Sequence, residues 1–356
     1  MHDVITVTLN PAIDRTAIVP GFTAGEVNRA SSAHDQPGGK GVNVAAALAR
    51  ASGGDRGVSG GGLRVAATGF LGADNRTAFD AFFQNTGIHN LFLPLPGSTR
   101  LGIKIVDPVN ASTTDLNFPG LAPSPADLAA LTDLLLQTST TSAAATTPDS
   151  GPTADSAATP VAARAPFYVL AGSLPPLPPG VPASIYADWT RALRARGARV
   201  ALDTSGEALA LALPASPTFI KPNVVELSAL LGHAISDTDA NAVVAAARAL
   251  IARHAMELVV VSMGAAGACF VTAREALHAR PPAIAVQSTV GAGDAMVAGI
   301  VHAMLASEEI PALDDIARLA TAFSVSALAR PDSAAAFRDG IARHLPHVTI
   351  RPVAVG

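Results

Sequence analysis

Thr289-Val290-Gly291-Ala292-Gly293-Asp294 runs directly into the apolar helical pattern Ala295-Met296-Val297-Ala298-Gly299-Ile300. Two glycines at the mouth of a helix let backbone N–H groups converge on one point, where the helix dipole also favours negative charge. An aspartate in that first turn can sit beside a bound anion and accept a proton from an attacking hydroxyl. Phosphoryl transfer needs this pairing: donors for the migrating charge and a base for the acceptor oxygen. The hexapeptide also reads as a plain glycine turn with Asp294 as a helix-capping carboxylate, a common arrangement.

Outward from this turn, short β-branched runs at 4–9, 65–70, 167–171, 200–203, 218–220 and 258–262 alternate with Ala/Leu-rich stretches of helical period. The helical stretches are 42–50, 126–137, 183–196, 240–254, 292–305 and 314–328. That rhythm predicts βα units on a mainly parallel sheet, in one α/β domain spanning 1–356. Residues 12–33 and 91–118 break it. They alternate polar and apolar positions between turn residues, as antiparallel strands do, and are expected to form a small projecting sheet, a candidate lid. Segments 52–62 and 138–166 are rich in Gly, Ser, Thr, Ala, Asp and Pro without apolar periodicity. Such stretches cannot bury enough surface to offset their ordering entropy, so both are expected to be disordered insertions.

Only three lysines occur among the 24 lysines and arginines, and each lies in a segment suited to holding phosphate. Lys40 sits in Gly38-Gly39-Lys40-Gly41, Lys104 follows Thr99-Arg100-Leu101-Gly102-Ile103, and Lys221 opens Lys221-Pro222-Asn223. A compact ammonium and a planar guanidinium are not interchangeable where a point charge must reach a phosphate oxygen. Codon bias is the competing account of the count. Gln36-Pro37-Gly38-Gly39-Lys40-Gly41-Val42-Asn43 again opens a helix through glycines. Bare backbone there can approach a hydroxylated ligand closely, with Lys40 and Asn43 supplying directional contacts; a purely structural glycine turn is the alternative. Gly41 stands at the Ser/Thr position, so the segment is not a Walker-type phosphate loop.

Ser262-Met263-Gly264-Ala265-Ala266-Gly267 follows a strand but precedes a second one, Ala268-Cys269-Phe270-Val271. It therefore reads as a glycine-rich hairpin that could cover a nucleotide phosphate, and not as a dinucleotide fingerprint. Asn223 and Glu226 could orient Mg²⁺ through its waters, since Mg²⁺ keeps much of its hydration shell. A proline-led helix start with ordinary polar residues explains the same letters. The nine histidines show no metal-ligand spacing backed by cysteine or carboxylate.

A net charge of −4, without a dense basic patch, gives no reason to expect nucleic acid. A single cysteine, Cys269, fits a reducing compartment. The start of the chain carries no basic n-region or cleavage site, and no apolar run is long enough to span a bilayer. The expected location is the cytoplasm.

These segments together resemble the ribokinase-like sugar kinases of the PfkB group, and within them the 1-phosphofructokinases. The resemblance also rests on Thr8-Leu9-Asn10-Pro11-Ala12-Ile13-Asp14, Thr68-Gly69-Phe70-Leu71-Gly72, Thr114-Asp115-Leu116-Asn117-Phe118-Pro119-Gly120, Gly172-Ser173-Leu174-Pro175-Pro176 and Asp203-Thr204-Ser205-Gly206. It implies a three-layer α/β/α ribokinase-like domain with a small β-sheet lid, using ATP and Mg²⁺. By resemblance, Asp294 is the base, and Gly291, Ala292 and Gly293 form the anion hole. Asp14, Gly38, Gly39, Lys40 and Asn43 hold sugar hydroxyls, with Ser173 also on the substrate side, while Arg100 and Lys104 grip the phosphate already present. Lys221, Asn223 and Glu226, with Ser262, Gly264 and Gly267, serve ATP and Mg²⁺.

The implied reaction is phosphorylation of fructose 1-phosphate at its 6-hydroxyl. The alternatives are tagatose 6-phosphate or fructose 6-phosphate at the 1-hydroxyl and, more remotely, a non-catalytic sugar-phosphate sensor. A homodimer through the lid is expected, because pairing would cover the exposed edges of a small sheet. One position departs from the resemblance: Gly102 stands where the family often has Asn.

Overall fold

A computed structural model describes residues 2–53, 62–139, 165–284, 291–306, 311–329, 331 and 333–354. Thr289, Val290 and nearly all of the two expected insertions lie outside the described residues. Among the described residues the main sheet runs in the order Thr349–Pro352, Ala276–Arg280, Ala268–Val271, Leu258–Ser262, Phe219–Ile220, Arg199–Asp203, Phe167–Ala171, Val4–Thr8, Val65–Gly72, His89–Asn90. Pairing is parallel from Leu258–Ser262 to His89–Asn90 and antiparallel at the other end.

The central strands Val4–Thr8, Val65–Gly72 and Phe167–Ala171 are buried along their whole length, as a parallel sheet covered on both faces requires. Successive side chains point to opposite faces, so one strand feeds two cores. Val4, Phe167, Val169 and Val260 pack under the helices Lys40–Ala51, Ala292–Leu305, Leu313–Leu328 and Ala334–His344. Ile5, Val7, Tyr168 and Val259 pack under Pro125–Ser139, Ile185–Arg194 and Ala240–His254. The layers are α/β/α, as expected.

The strands Phe167–Ala171 and Leu258–Ser262 and the helices Ala240–His254 and Ala292–Leu305 keep the bounds that the pattern predicts. The pattern missed Thr77–Thr86, whose phenylalanines obscure the helical period, and Ala276–Arg280 and Thr349–Pro352, which pair only with each other and with one sheet edge.

The second sheet has the order Ser32–Gly38, Ala12–Ile18, Leu101–Asp107, Ser112–Asn117. Its composition corrects the sequence reading in three ways. Ala12–Ile18 and Leu101–Asp107 pair in parallel, the register running Asp14 to Gly102 and Thr16 to Lys104. The sheet extends past Ala33 to Gly38, bringing the glycine turn into it. Leu93–Leu95, inside the segment 91–118, pairs instead with the main-sheet strand Val65–Gly72.

Candidate active site

In a parallel sheet the carboxyl ends of the strands open on one crevice, where ligands bind. Here those ends are Thr8, Ala171, Asp203, Ile220 and Ser262. The residues just beyond them include Ser173, Lys221 and the turn that starts at Ser262. Two helices point their N-termini at the same crevice. Lys40–Ala51 starts behind Gly39, and Ala292–Leu305 starts behind Gly291. Gly39 has φ 120, and a Cβ there would lie 2.9 Å from Thr8 Cγ2 and 3.1 Å from Pro11 Cα, so only glycine lets this helix start so close to the first strand.

Asp294 does not cap its helix. It is 8% exposed, and its Oδ2 accepts a hydrogen bond from Asn43 Nδ2 at 2.8 Å, across 251 residues of sequence. Burial pushes its carboxyl up to about 6, and the neighbouring Asp203 adds to this; Asn43, Lys221 and Lys40 pull the other way. Asp203 is 2% exposed and was not among the residues the sequence singled out. Its Oδ1 accepts from Lys40 Nζ at 3.3 Å and lies 3.5 Å from Lys221 Nζ, while its Oδ2 is buried without a partner. Desolvation opposes the charge on Lys40, but Asp203, Asp294 and Glu226 outweigh it and raise its pKa. The structure thus brings Lys40 and Lys221 onto one carboxylate, whereas the sequence reading gave them to opposite substrates. A Cβ on Gly293 would lie 3.3 Å from Lys221 Nζ, so this ammonium rests over the glycine turn itself.

The second sheet forms the other wall. Asp14 lies between two glycines: a Cβ on Gly38 would fall 2.1 Å from Asp14 Oδ2, and one on Gly102 would fall 2.7 Å from Asp14 Oδ1. Burial raises the Asp14 pKa against the pull of Arg100 and Lys104. Arg100 donates to Asn117 Oδ1 at 3.3 Å and to the Asn10 carbonyl at 3.4 Å, and its Nε is buried without a partner. Lys104 pairs with Asp115 of the adjacent strand. Asn10 reaches Ser173 Oγ at 3.2 Å, tying the first strand's loop to the loop after Ala171.

Asn223 and Glu226 form a capping box at the start of Val224–Leu231, with Glu226 N donating to Asn223 Oδ1 at 2.8 Å and Asn223 N to Glu226 Oε2 at 2.9 Å. The helix-start reading of those letters therefore holds, and it leaves one Glu226 oxygen for other work. Ser262 bridges to Asn223, and the chain turns through Gly264 and Gly267 into the antiparallel strand Ala268–Val271. This is the hairpin read from the sequence. Gly267, at φ 99, is required because a Cβ would meet the Ala279 carbonyl at 2.0 Å. Among the described residues no group of three His, Cys, Asp or Glu could hold a metal ion, and no helix is long and apolar enough to cross a membrane.

A carboxylate held beside a glycine helix mouth, with two lysines on a second carboxylate, can support phosphoryl transfer. The sequence pattern of the pfkB family carbohydrate kinases matches residues 4–139 and 132–337. The chain belongs to this family. The 1-phosphofructokinase of Rhodobacter capsulatus is 46% identical over 329 residues, covering 91% of this chain and 90% of the relative. That of Xanthomonas campestris pv. campestris is 42% identical, covering 95% and 94%. Among solved structures, phosphofructokinase-2 from Escherichia coli in complex with fructose-6-phosphate superposes with a TM-score of 0.78 at 25% identity, covering 98% of this chain and 99% of the other. The chain is thus an ATP-dependent carbohydrate kinase. Asp203 is a candidate site residue that the sequence reading assigned no role. Its signal was legible in Asp203-Thr204-Ser205-Gly206, a carboxylate on the last residue of a buried strand, facing the crevice.

Proposed function

We propose that this kinase transfers the γ-phosphoryl group of ATP to the 6-hydroxyl of fructose 1-phosphate, giving fructose 1,6-bisphosphate and ADP. The observation that carries the reading is Asp294, buried at the glycine mouth of its helix, oriented by Asn43 and raised to about 6. Its free carboxylate oxygen takes the proton of the 6-hydroxyl as the hydroxyl oxygen attacks the γ-phosphorus; the bond to the β–γ bridging oxygen breaks and ADP leaves. The N–H groups of Gly291, Ala292 and Gly293 take up the charge on the migrating phosphoryl group. Lys221, resting over that turn, and Lys40, held beside it through Asp203, add positive charge. Asp14, Gly38, Gly39 and Asn43 hold sugar hydroxyls, with Ser173 beside them through Asn10. Arg100, whose buried Nε has no partner, and Lys104 hold the substrate's own phosphate.

The donors fit Mg²⁺ with its waters: the unpartnered Asp203 Oδ2, the second oxygen of Glu226, and the Asn223 amide. When bound, the ion neutralises charge on the nucleotide phosphates. The hairpin of Ser262, Gly264 and Gly267 covers the nucleotide.

The name 1-phosphofructokinase, carried by the two curated relatives, supports fructose 1-phosphate over its isomers. A coupled assay on fructose 1-phosphate, fructose 6-phosphate and tagatose 6-phosphate tests this. A kcat/KM for either rival above that for fructose 1-phosphate would overturn the substrate assignment. The small sheet has exposed edge strands at Ser32–Gly38 and Ser112–Asn117, with Leu116 and Phe118 about half exposed. Pairing two such sheets in a cytoplasmic homodimer would cover them.

A further inference from the structure

A cavity of about 210 Å³ lies between Lys40–Ala51 and the later helices; Arg50 lines one end, Gln36, Asn43 and Gly291 line the end next to the active site, and Ala47, Ala295 and Phe337 are in its apolar wall. Asn43, Ala46, Ala47 and Arg50 recur at the spacing of one helical face, so Asn43 and Arg50 stand about 10 Å apart along the axis. No acidic residue of the described chain lines this space. Burial pulls the Arg50 pKa below its ordinary value, with no carboxylate among the described residues opposing that pull. A second guanidinium, Arg338, donates to the Arg50 carbonyl at 3.0 Å and adds positive charge at the same end. A partly buried guanidinium without a counter-ion is costly unless something anionic fills the space beside it. Amides at the other end and alanine and phenylalanine walls suit a short carbon skeleton.

We propose that this cavity is an effector site for a small organic oxyanion, a phosphate or carboxylate on a short carbon skeleton, seated on Arg50. Three residues link it to the active site, the first being Gly291, which lines the cavity at the mouth of the helix that carries Asp294. Asn43 lines the cavity and donates to Asp294. Gln36 lines it and pairs across the ladder with Asp14. A ligand that moves either amide changes the proton affinity of Asp294 or the position of Asp14, and binding at the two sites is then reciprocal. The effect on turnover rests on the assignment of Asp294 as base; the existence of the site does not.

The test is calorimetric titration of the full chain with glycerol 3-phosphate, inorganic phosphate and propionate. It compares wild type with Arg100→Met, which removes the sugar-phosphate grip, and with Arg50→Gln. Binding should survive in Arg100→Met and weaken at least about tenfold in Arg50→Gln, the scale of one lost charge-assisted pair. Uptake of the phosphates without propionate identifies a phosphate ligand, and the reverse identifies a carboxylate. Wild-type affinity in Arg50→Gln, or no binding of any probe in Arg100→Met, overturns the proposal. Should Arg50→Gln lose its thermal transition, Ala47→Leu, which fills the cavity, takes its place with the same readings.

Discussion

Asp294 is buried among groups that act on its proton in opposite directions, and this makes its titration a direct probe of the site. Replacing it with Asn should lower kcat by about 10²–10⁴ while leaving sugar-phosphate binding within a few-fold, the signature of a lost general base. Undiminished turnover would remove it from the mechanism. As the base must be ionised, kcat/KM of the wild type should fall below a pH of about 6. Stability runs the other way. Between the ordinary carboxylate value of 3.8 and about 6, the folded chain holds a proton that the unfolded chain has released. Stability therefore declines as pH rises through that window and stays lower above it. A thermal midpoint for Asp294→Asn that exceeds wild type at pH 7.5, with the gap closing by pH 4, would confirm both the burial and the shift. Lys40 and Lys221 both hold Asp294 down. Lys40→Met and Lys221→Met should each move the acid limb of the pH–rate profile upward, and Lys104→Met, paired with Asp115 in the small sheet, should not.

At the scale of elements, two close approaches are decided by glycines. A Cβ on Gly299 would lie 2.6 Å from Ala320 Cα, so Ala292–Leu305 and Leu313–Leu328 pack backbone to backbone there. Gly299→Ala should cost about 1–3 kcal/mol by overpacking, read as a lower thermal midpoint, with activity falling because the same helix carries Asp294. In the small sheet, Gly102→Ala should displace the Asp14 carboxylate and raise KM for the sugar-phosphate about tenfold, with the midpoint nearly unchanged. An unchanged KM would show that Asp14 tolerates a Cβ beside it. Helices with a clean apolar period, such as Ala240–His254, were legible from the sequence alone because burial of one face dictates that period. The parallel pairing of Ala12–Ile18 with Leu101–Asp107 was not, because strand alternation records which face is buried and carries nothing about the direction of the partner.

For the whole molecule, the proposed dimer predicts a particle of about twice the chain mass in sedimentation equilibrium. Phe118→Asp on the exposed rim of the small sheet should shift it toward monomer. A monomeric wild type at micromolar concentration would leave the sheet as a lid only.

The sequence by itself determined the βα rhythm, the glycine turn at Gly291-Ala292-Gly293-Asp294, and the candidate site residues in their segments. Each of these is a local pattern: a period, a turn that needs bare backbone, or a charge beside it. Only the tertiary structure decided which letters meet. Asn43 reaches Asp294 across 251 residues, and Lys40 and Lys221 converge on Asp203, whose segment was read as part of the resemblance but carries no local sign of either lysine. Parallel sheet order brings those strand ends together, and that order is set by long-range packing of two buried faces, which no local window contains.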